Sequence, residues 1–203
     1  QKMLQDTAAG FMAEEGGITK QLRHWRDIGC KDGFGHALWK QFAELGLTGI
    51  CIPESHGGLG LGATEAAVVL EEVGRNLTPS PFLTTAVAAA CAIEGTQHAD
   101  RWFPGILSGD AVLALAVDEG PRHSPQHTGL EAKRQGNGFV LSGNKQFVVH
   151  GGSADMIVTV ARTAGSPGEP EGLTLFAVPN QASGLEVDNA ALVDSSKAAH
   201  LSF

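Results

Sequence analysis

The spacing of apolar residues changes from a helical period to a period of two near residue 111, and this change constrains the fold more than any other feature of the 203-residue chain. Before it, apolar side chains recur three and four positions apart, as at Leu38, Phe42 and Leu45, which is typical of one face of a helix. After it, short alternating runs are separated by turn residues, which is typical of strands. The order predicts an α+β protein with an all-helical N-terminal domain at residues 1–110 and a β-barrel or sandwich-like domain at residues 111–203.

Start and stop signals divide the first half into helices. Ser or Thr just before a helix caps its free N–H groups, and Gly or Pro marks the end of a helix. Five helices are predicted: Gln1–Glu14, Gly35–Leu45, one capped by Thr64, one capped by Ser80 that extends to Gly95, and one from Thr96 that ends at Pro104.

The second half divides into short strands because Gly, Pro, Asn and Ser interrupt the alternating runs. Two of these interruptions, Gly136–Gly138 and Ser142–Lys145, resemble tight hairpin turns. Seven strands are predicted: Ala111–Val117, Leu130–Gln135, Phe139–Ser142, Gln146–Val149, Met156–Ala161, Leu173–Val178 and Leu185–Val187.

Composition narrows the class of protein. The chain has 14 basic and 22 acidic residues and a net charge of −8, so it lacks the basic surplus that neutralises the phosphates of a nucleic acid. Its three cysteines, Cys30, Cys51 and Cys91, are odd in number and widely spaced, which predicts no disulfide framework and a reducing cytoplasm as the compartment. The longest apolar run, Ala86–Ile93, is too short to cross a bilayer, so no membrane span is expected.

No generic motif assigns a chemistry. Gly58-x-Gly60-x-x-Ala63 resembles a dinucleotide fingerprint, but helices rather than a βαβ unit follow it, so we interpret Pro53–Gly62 as a tight loop that opens the next helix. His123 and His127 have the spacing of a helical metal site, but nearby prolines argue against a helix there and no metal is expected.

Seven local patterns occur in an order that is hard to obtain by chance. They are Leu38–Leu47, Ile52–Gly62, Leu70–Gly74, Gly95–His98, Trp102–Gly109, Leu115–Glu119 and Leu141–Gly152. This succession resembles the flavin-dependent acyl-CoA dehydrogenase family and covers nearly the whole chain.

The resemblance implies a fold and an activity. The family has an N-terminal helical domain, a middle β domain and a C-terminal helical bundle, and this chain corresponds to the first two. The family reaction is the FAD-dependent α,β-dehydrogenation of an acyl-CoA thioester, and electrons pass on to an electron-transfer flavoprotein or a similar acceptor. Because the family's glutamate base lies in the bundle, no catalytic base is expected among these 203 residues, and the chain alone is expected to be inactive. The resemblance also implies a homo- or hetero-oligomer and a role in fatty acid or lipid catabolism.

Two segments would contact the flavin by this resemblance. Leu115, Val117 and Asp118 correspond to the strand end that the family presents to the pyrimidine edge. Phe147 corresponds to an aromatic residue that packs against the flavin, and Val149 to a Thr or Ser that bonds near N5.

The substrate would contact three further residues by the same resemblance. Ser124 corresponds to a Ser near the phosphates or the CoA. Val69 and Val73 lie on the helix that floors the family's acyl pocket.

Departures from the family pattern leave alternatives open. Val149 has no hydroxyl, so only its backbone could bond to the flavin. Asp118 replaces the usual Thr, and its carboxylate would repel a reduced, anionic flavin. The chain could therefore belong to a flavin-poor, catalytically degenerate subunit that completes a site with an active partner, or to a relative with oxidase or hydroxylase-like chemistry.

Overall fold

The structure, a computed structural model, describes residues 1–203, and its first half contains helices joined by loops and no strand, as the apolar spacing predicts. The Ala-rich segment Phe82–Ala89 has π-helical hydrogen bonding and continues into the helix after it. Six α-helices are present: α1 (Lys2–Glu14), α2 (His24–Asp27), α3 (His36–Glu44), α4 (Ala63–Asn76), α5 (Ala90–Ile93) and α6 (Ala99–Leu107). None of them is both long and apolar enough to cross a membrane.

Two of the predicted helix caps are wrong. Gly62 rather than Thr64 is the N-cap of α4, and the Glu65 carboxylate accepts the Gly62 N–H at 3.2 Å. This acidic side chain in the first turn satisfies the helix start without a hydroxyl cap. At the next helical segment Pro81 occupies the cap position, and Ser80 Oγ has no hydrogen-bond partner.

Pro104 does not end the last helix, contrary to the prediction. Because proline has no N–H, α6 lacks one internal bond at this position. The Ser108 N–H still donates to the Pro104 carbonyl at 3.1 Å, so the helical bonding resumes one turn later. Phe103 and Ile106 are buried on the same helix, and this packing holds α6 in place.

The glycine-rich run Pro53–Gly62 forms a tight loop that leads into α4, as predicted. Its backbone folds back on the preceding turn. Leu59 N–H donates to Gly49 O and Leu61 N–H donates to Ile50 O, both at 2.9 Å. These N–H groups are therefore committed to the fold.

The second half contains the seven predicted strands and one more at its end. The eight strands are β1 (Leu113–Ala116), β2 (Glu131–Gln135), β3 (Gly138–Ser142), β4 (Asn144–Val149), β5 (Met156–Arg162), β6 (Leu173–Pro179), β7 (Glu186–Ala191) and β8 (Lys197–Ser202).

The strands form two sheets. The first is five-stranded and mixed, and β5 lies at its centre. β5 pairs in parallel with β1 and, at one residue, with the start of β2, and it pairs antiparallel with β6. β3 pairs antiparallel with β2. The second is three-stranded and antiparallel in the order β4-β8-β7. Small apolar residues such as Ala114 and Ala116 of the first sheet pack against Val148 and Leu201 of the second, which gives a sandwich-like domain rather than a closed barrel.

The strand β1 also packs against the helical half. Its residues alternate between two cores, with Ala114 and Ala116 toward the second sheet and Leu113 and Leu115 toward the helices. The buried Thr85 hydroxyl donates to Leu113 O at 2.8 Å and lies 3.0 Å from Leu113 N. One short strand thus joins the helices to both sheets.

Candidate functional site

The two segments that the resemblance assigns to the flavin lie next to each other. The Gln146 N–H on β4 donates to the Asp118 carbonyl, just beyond the end of β1, at 2.7 Å. No strand ladder joins β1 to β4, because β1 pairs with β5 and β4 pairs with β8. The fold therefore brings Val117 and Asp118, at the end of β1, beside the part of β4 that precedes Phe147.

A bulge in β4 turns Phe147 toward solvent. The pairing of β4 with β8 shifts between Lys145 and Val148, and both of these residues are buried. In a regular strand Phe147 would share the buried face of Lys145, because side chains alternate with a period of two. The bulge, with Phe147 at a φ of 52°, leaves its ring 60% exposed, and it stands at the edge of the candidate site.

The Asp118 carboxylate has partners within its own loop. His123 Nδ1 lies 2.9 Å from Asp118 Oδ1, and the Ser124 N–H donates to the same oxygen at 3.4 Å. These two contacts partly satisfy the hydrogen-bonding capacity of the carboxylate inside the loop. The orientation of the Asp118 carboxylate is therefore set by its own loop.

Ser124 and Val117 line a small cavity of about 320 Å³. Arg122, His127 and Thr128 line the same cavity. The Ser124 hydroxyl lies 2.8 Å from His127 Nδ1. The Arg122 guanidinium and the Ser124 hydroxyl are donors that suit an anionic group. The Glu119 carboxylate also lines this cavity, and it is hydrogen-bonded to Lys145 and to the Gly129 and Leu130 N–H groups. His123 and His127 have different partners, and no cluster of three metal-binding side chains occurs in the chain.

The side chains of the remaining predicted site residues do not lie on this surface. Leu115 packs its side chain toward the helices, so only its backbone is available to a cofactor. Val69 is fully buried in the helical core and borders no open space. Val73 borders a separate, mainly polar cleft of about 440 Å³ between α4 and the β7–β8 turn. Another groove, about 550 Å³ and apolar, lies between β3 and β6 and contains none of the predicted residues.

Sequence reasoning missed a buried ion pair beneath the site. The Lys145 side chain is completely buried, and its Nζ donates to Glu119 Oε1 at 2.7 Å and to Val117 O at 2.8 Å. Burial lowers the Lys145 pKa, while the Glu119 carboxylate opposes that change. The sequence pattern carries no signal for this pair, because Lys145 falls in the segment Ser142–Lys145 that was predicted as a hairpin turn. In the structure β4 begins at Asn144 and pairs with β8 rather than with β3, so that turn prediction is wrong.

The residues fit a flavin in three respects. An exposed aromatic ring is available to stack on a planar ring system. The neighbouring Asp118 carboxylate has partners within its own loop, and a cavity lined by Arg122 and Ser124 lies beside the strand end.

Comparison with known proteins gives a consistent result. The family model for the acyl-CoA dehydrogenase N-terminal domain matches residues 1–110, and the model for the acyl-CoA dehydrogenase middle domain matches residues 119–203. Mitochondrial isovaleryl-CoA dehydrogenase of Pongo abelii is 30% identical over 188 residues, which cover 88% of this chain and 43% of that enzyme. FadE12 of Mycobacterium tuberculosis, named as an acyl-CoA dehydrogenase, is 29% identical over 72% of this chain and 39% of its own length.

Solved structures agree with the sequence relatives. The Tcur3481–Tcur3483 steroid ACAD, in its G363A variant, superposes with a TM-score of 0.87 at 30% identity and covers all of this chain and 54% of that one. The ChsE4–ChsE5 complex of Mycobacterium tuberculosis gives a TM-score of 0.83 at 25% identity, with 53% of that chain covered. The chain thus spans about half the length of the relatives it matches. With both halves matched by the family's own domain models, the chain belongs to the acyl-CoA dehydrogenase family.

Proposed function

We propose that the protein carrying this chain is an FAD-dependent acyl-CoA dehydrogenase that introduces a double bond between the α and β carbons of an acyl-CoA thioester. The observation that carries the proposal is the 2.7 Å hydrogen bond from Gln146 N to Asp118 O. It joins, within a member of this family, the two segments that the resemblance assigns to the flavin.

Each residue of this surface has a distinct proposed role. Phe147 stacks on the flavin ring, and the backbones of Leu115, Val117 and Val149 line its edge. Asp118, held by His123, accepts a hydrogen bond from the flavin rather than donating one. FAD, when bound, supplies the acceptor for the hydride that leaves the β carbon.

The substrate side is proposed on the same basis. Ser124 and the cavity beside it hold a phosphate of the flavin or the CoA. Of the two valines assigned to the acyl pocket, Val73 is the one that borders an open cleft. The base that removes the α proton is proposed to lie outside these residues. An electron-transfer flavoprotein or similar acceptor, an oligomeric state and a cytoplasmic location complete the proposal.

Flavin content and turnover test this function. The full-length protein is expected to purify with a visible flavin spectrum and to reduce an artificial electron acceptor when supplied with acyl-CoA thioesters. Phe147→Ala is expected to weaken FAD binding about tenfold or more, because the flavin loses the phenyl ring on which it stacks. Lys40→Met, which breaks the exposed ion pair Lys40–Asp110, serves as a matched control. A full-length protein that takes up no added FAD would refute the proposal.

A degenerate partner subunit is the second candidate. It is favoured by the absence of a hydroxyl at Val149 and by the carboxylate at Asp118. Two similar structures, at 30% and 25% identity, are the Tcur3481–Tcur3483 steroid ACAD and the ChsE4–ChsE5 complex, each named for two proteins. Co-expression with a paralogue separates the candidates: activity that appears only in the mixed complex supports the partner role, and turnover by the protein alone excludes it.

A further inference from the structure

The buried ion pair beneath the candidate site connects three segments that no strand ladder connects. Lys145 reaches from β4 to Val117 O and to Glu119. The Glu119 carboxylate also accepts the Gly129 N–H at 2.7 Å and the Leu130 N–H at 2.9 Å, just before β2. The pair thus joins the end of β1, the start of β2 and β4 at one point.

Gln146, next to Lys145, adds two hydrogen bonds to the same segment after β1. Gln146 Nε2 donates to the Glu119 carbonyl at 3.0 Å, while its backbone N–H donates to Asp118 O. Val117 and Asp118 are therefore held on one side, and Phe147 follows directly on the other. All of these bonds converge on the residues that present the candidate flavin surface.

Stability alone does not account for such a pair. Removing an ammonium and a carboxylate from water is costly, and an apolar pair of similar size stabilises a core equally well or better. A hydrogen-bonded pair differs from an apolar one in that it fixes direction and distance between the segments that it joins.

We propose that Lys145 and Glu119 are positioning residues, which hold the end of β1 and the bulged part of β4 at the spacing that flavin binding requires. This inference rests on the proposed function, since it concerns the same flavin surface. The buried Lys145 touches neither cofactor nor substrate in this assignment. Glu119 borders the cavity beside Ser124, but its carboxylate is engaged by Lys145 and by the Gly129 and Leu130 N–H groups. The pair therefore acts through Val117, Asp118 and Phe147.

A comparison of single and double variants tests the proposal in the full-length protein. Glu119→Gln leaves the Lys145 charge buried without a partner, and Lys145→Met removes the link to Val117. The double variant E119Q/K145M carries no unpaired charge, so its melting temperature is expected to recover relative to Glu119→Gln. Lys40→Met, at the exposed pair with Asp110, is the matched control.

Two readouts separate positioning from stabilisation. The first is the FAD dissociation constant, which is expected to rise about tenfold or more in Lys145→Met and to stay raised in the double variant. The second is the hydrogen-exchange rate of the Gln146 amide in flavin-free protein. This rate is expected to rise in Lys145→Met and in the double variant, because the Asp118 carbonyl is no longer held against the Gln146 N–H. Lys40→Met is expected to leave both quantities within about twofold of wild type.

Recovery of FAD affinity and of Gln146 protection together with the melting temperature in the double variant would overturn the proposal. Unchanged values in Lys145→Met would also overturn it. A wild-type protein that binds no FAD would refute the proposed function instead, and the exchange rate of Gln146 would still decide whether the pair positions the two segments.

Discussion

At the scale of single residues, Phe147 combines backbone strain with exposure. Its φ of 52° lies in the left-handed region, which costs a bulky residue about 1–2 kcal/mol. Because the ring is 60% exposed, burial returns little of that cost. Strain that packing does not offset is typical of residues retained for binding.

Replacing Phe147 therefore separates stability from binding. Phe147→Gly is expected to unfold with a free energy about 1 kcal/mol higher than Phe147→Ala, because glycine adopts a positive φ without a steric penalty. Both variants are expected to lose FAD affinity, since both lack the ring. Urea denaturation measures the first quantity and flavin titration the second. A glycine variant that is less stable than the alanine variant would contradict the assigned strain.

His150 makes the folded state sensitive to acid. Burial lowers its pKa from 6.5 to about 4, against the opposing charge of Asp32. Its ring packs edge-on against Phe34 at 5.4 Å, and its Nδ1 lies 3.0 Å from Thr84 Oγ1. The folded protein thus favours the neutral imidazole, while the unfolded chain binds a proton below about pH 6.5.

The stability contributed by neutral His150 is expected to fall as the pH drops from 6.5 to about 4. The loss by pH 4.5 amounts to about 2–3 kcal/mol, because the unfolded state binds the extra proton. His150→Asn is the comparison variant, since Asn tolerates the positive φ of 59° at this position. Urea denaturation at pH 7 and pH 4.5 should show a smaller loss in the variant than in wild type. Equal losses in the two proteins would exclude His150 as the cause.

At the scale of elements, the glycine-rich loop before α4 depends on close packing at Gly58. A Cβ at this position would overlap the Ile52 carbonyl oxygen and lie 2.5 Å from Ile52 Cβ. Gly10, in the exposed face of α1, has no atom within 4 Å of the corresponding point. The two glycines therefore provide a matched pair of sites for alanine.

Gly58→Ala is expected to lower the free energy of unfolding by about 2–3 kcal/mol, since the loop backbone must move. Gly10→Ala is expected to raise it by about 0.5–1 kcal/mol, because alanine restricts the unfolded chain and favours a helix. Thermal or urea denaturation of the two variants measures both effects. A neutral Gly58→Ala would show that the loop is not held by this contact.

The elements also show how far the sequence predicts this fold. Short apolar runs bounded by turn residues located seven of the eight strands, including β5, which is buried at every residue rather than on one face. These runs could not locate the bulge at Phe147, because an extra residue in a strand depends on the partner strand β8. The caps at Thr64 and Ser80 were wrong because Glu65 satisfies one start and Pro81 occupies the other cap position.

The candidate site was predictable in part. The resemblance named Val117, Asp118, Phe147 and Val149, and the fold joins the two segments that contain them at Asp118 and Gln146, while the contacts of these residues with a flavin stay a prediction. The pair Lys145–Glu119 was not foreseen, because its members lie 26 residues apart and meet only when two sheets assemble. Side-chain contacts between distant elements are set by tertiary packing, which local patterns do not encode.

At the scale of the whole molecule, the helices and the sheets share their cores. The division at residue 110 stays a prediction, but buried residues on both sides of it form one cluster. Ile52 and Phe103 of the helical half pack in the same core as Leu113, Met156 and Val158 of the strands. A shared core of this kind couples the unfolding of its two parts.

We therefore expect the 203-residue chain to unfold in one cooperative transition. All three tryptophans, Trp25, Trp39 and Trp102, lie in the helical half, so their fluorescence reports on the helices, while hydrogen exchange along β5 reports on the sheets. When both signals are followed against urea concentration, the two unfolding curves should coincide.

Thr85→Val should shift both curves by the same amount, about 2–3 kcal/mol, because the Leu113 N–H and carbonyl on β1 lose their buried partner. Two separate transitions, or a shift confined to the fluorescence curve, would show that the helices fold independently of the strand that joins them.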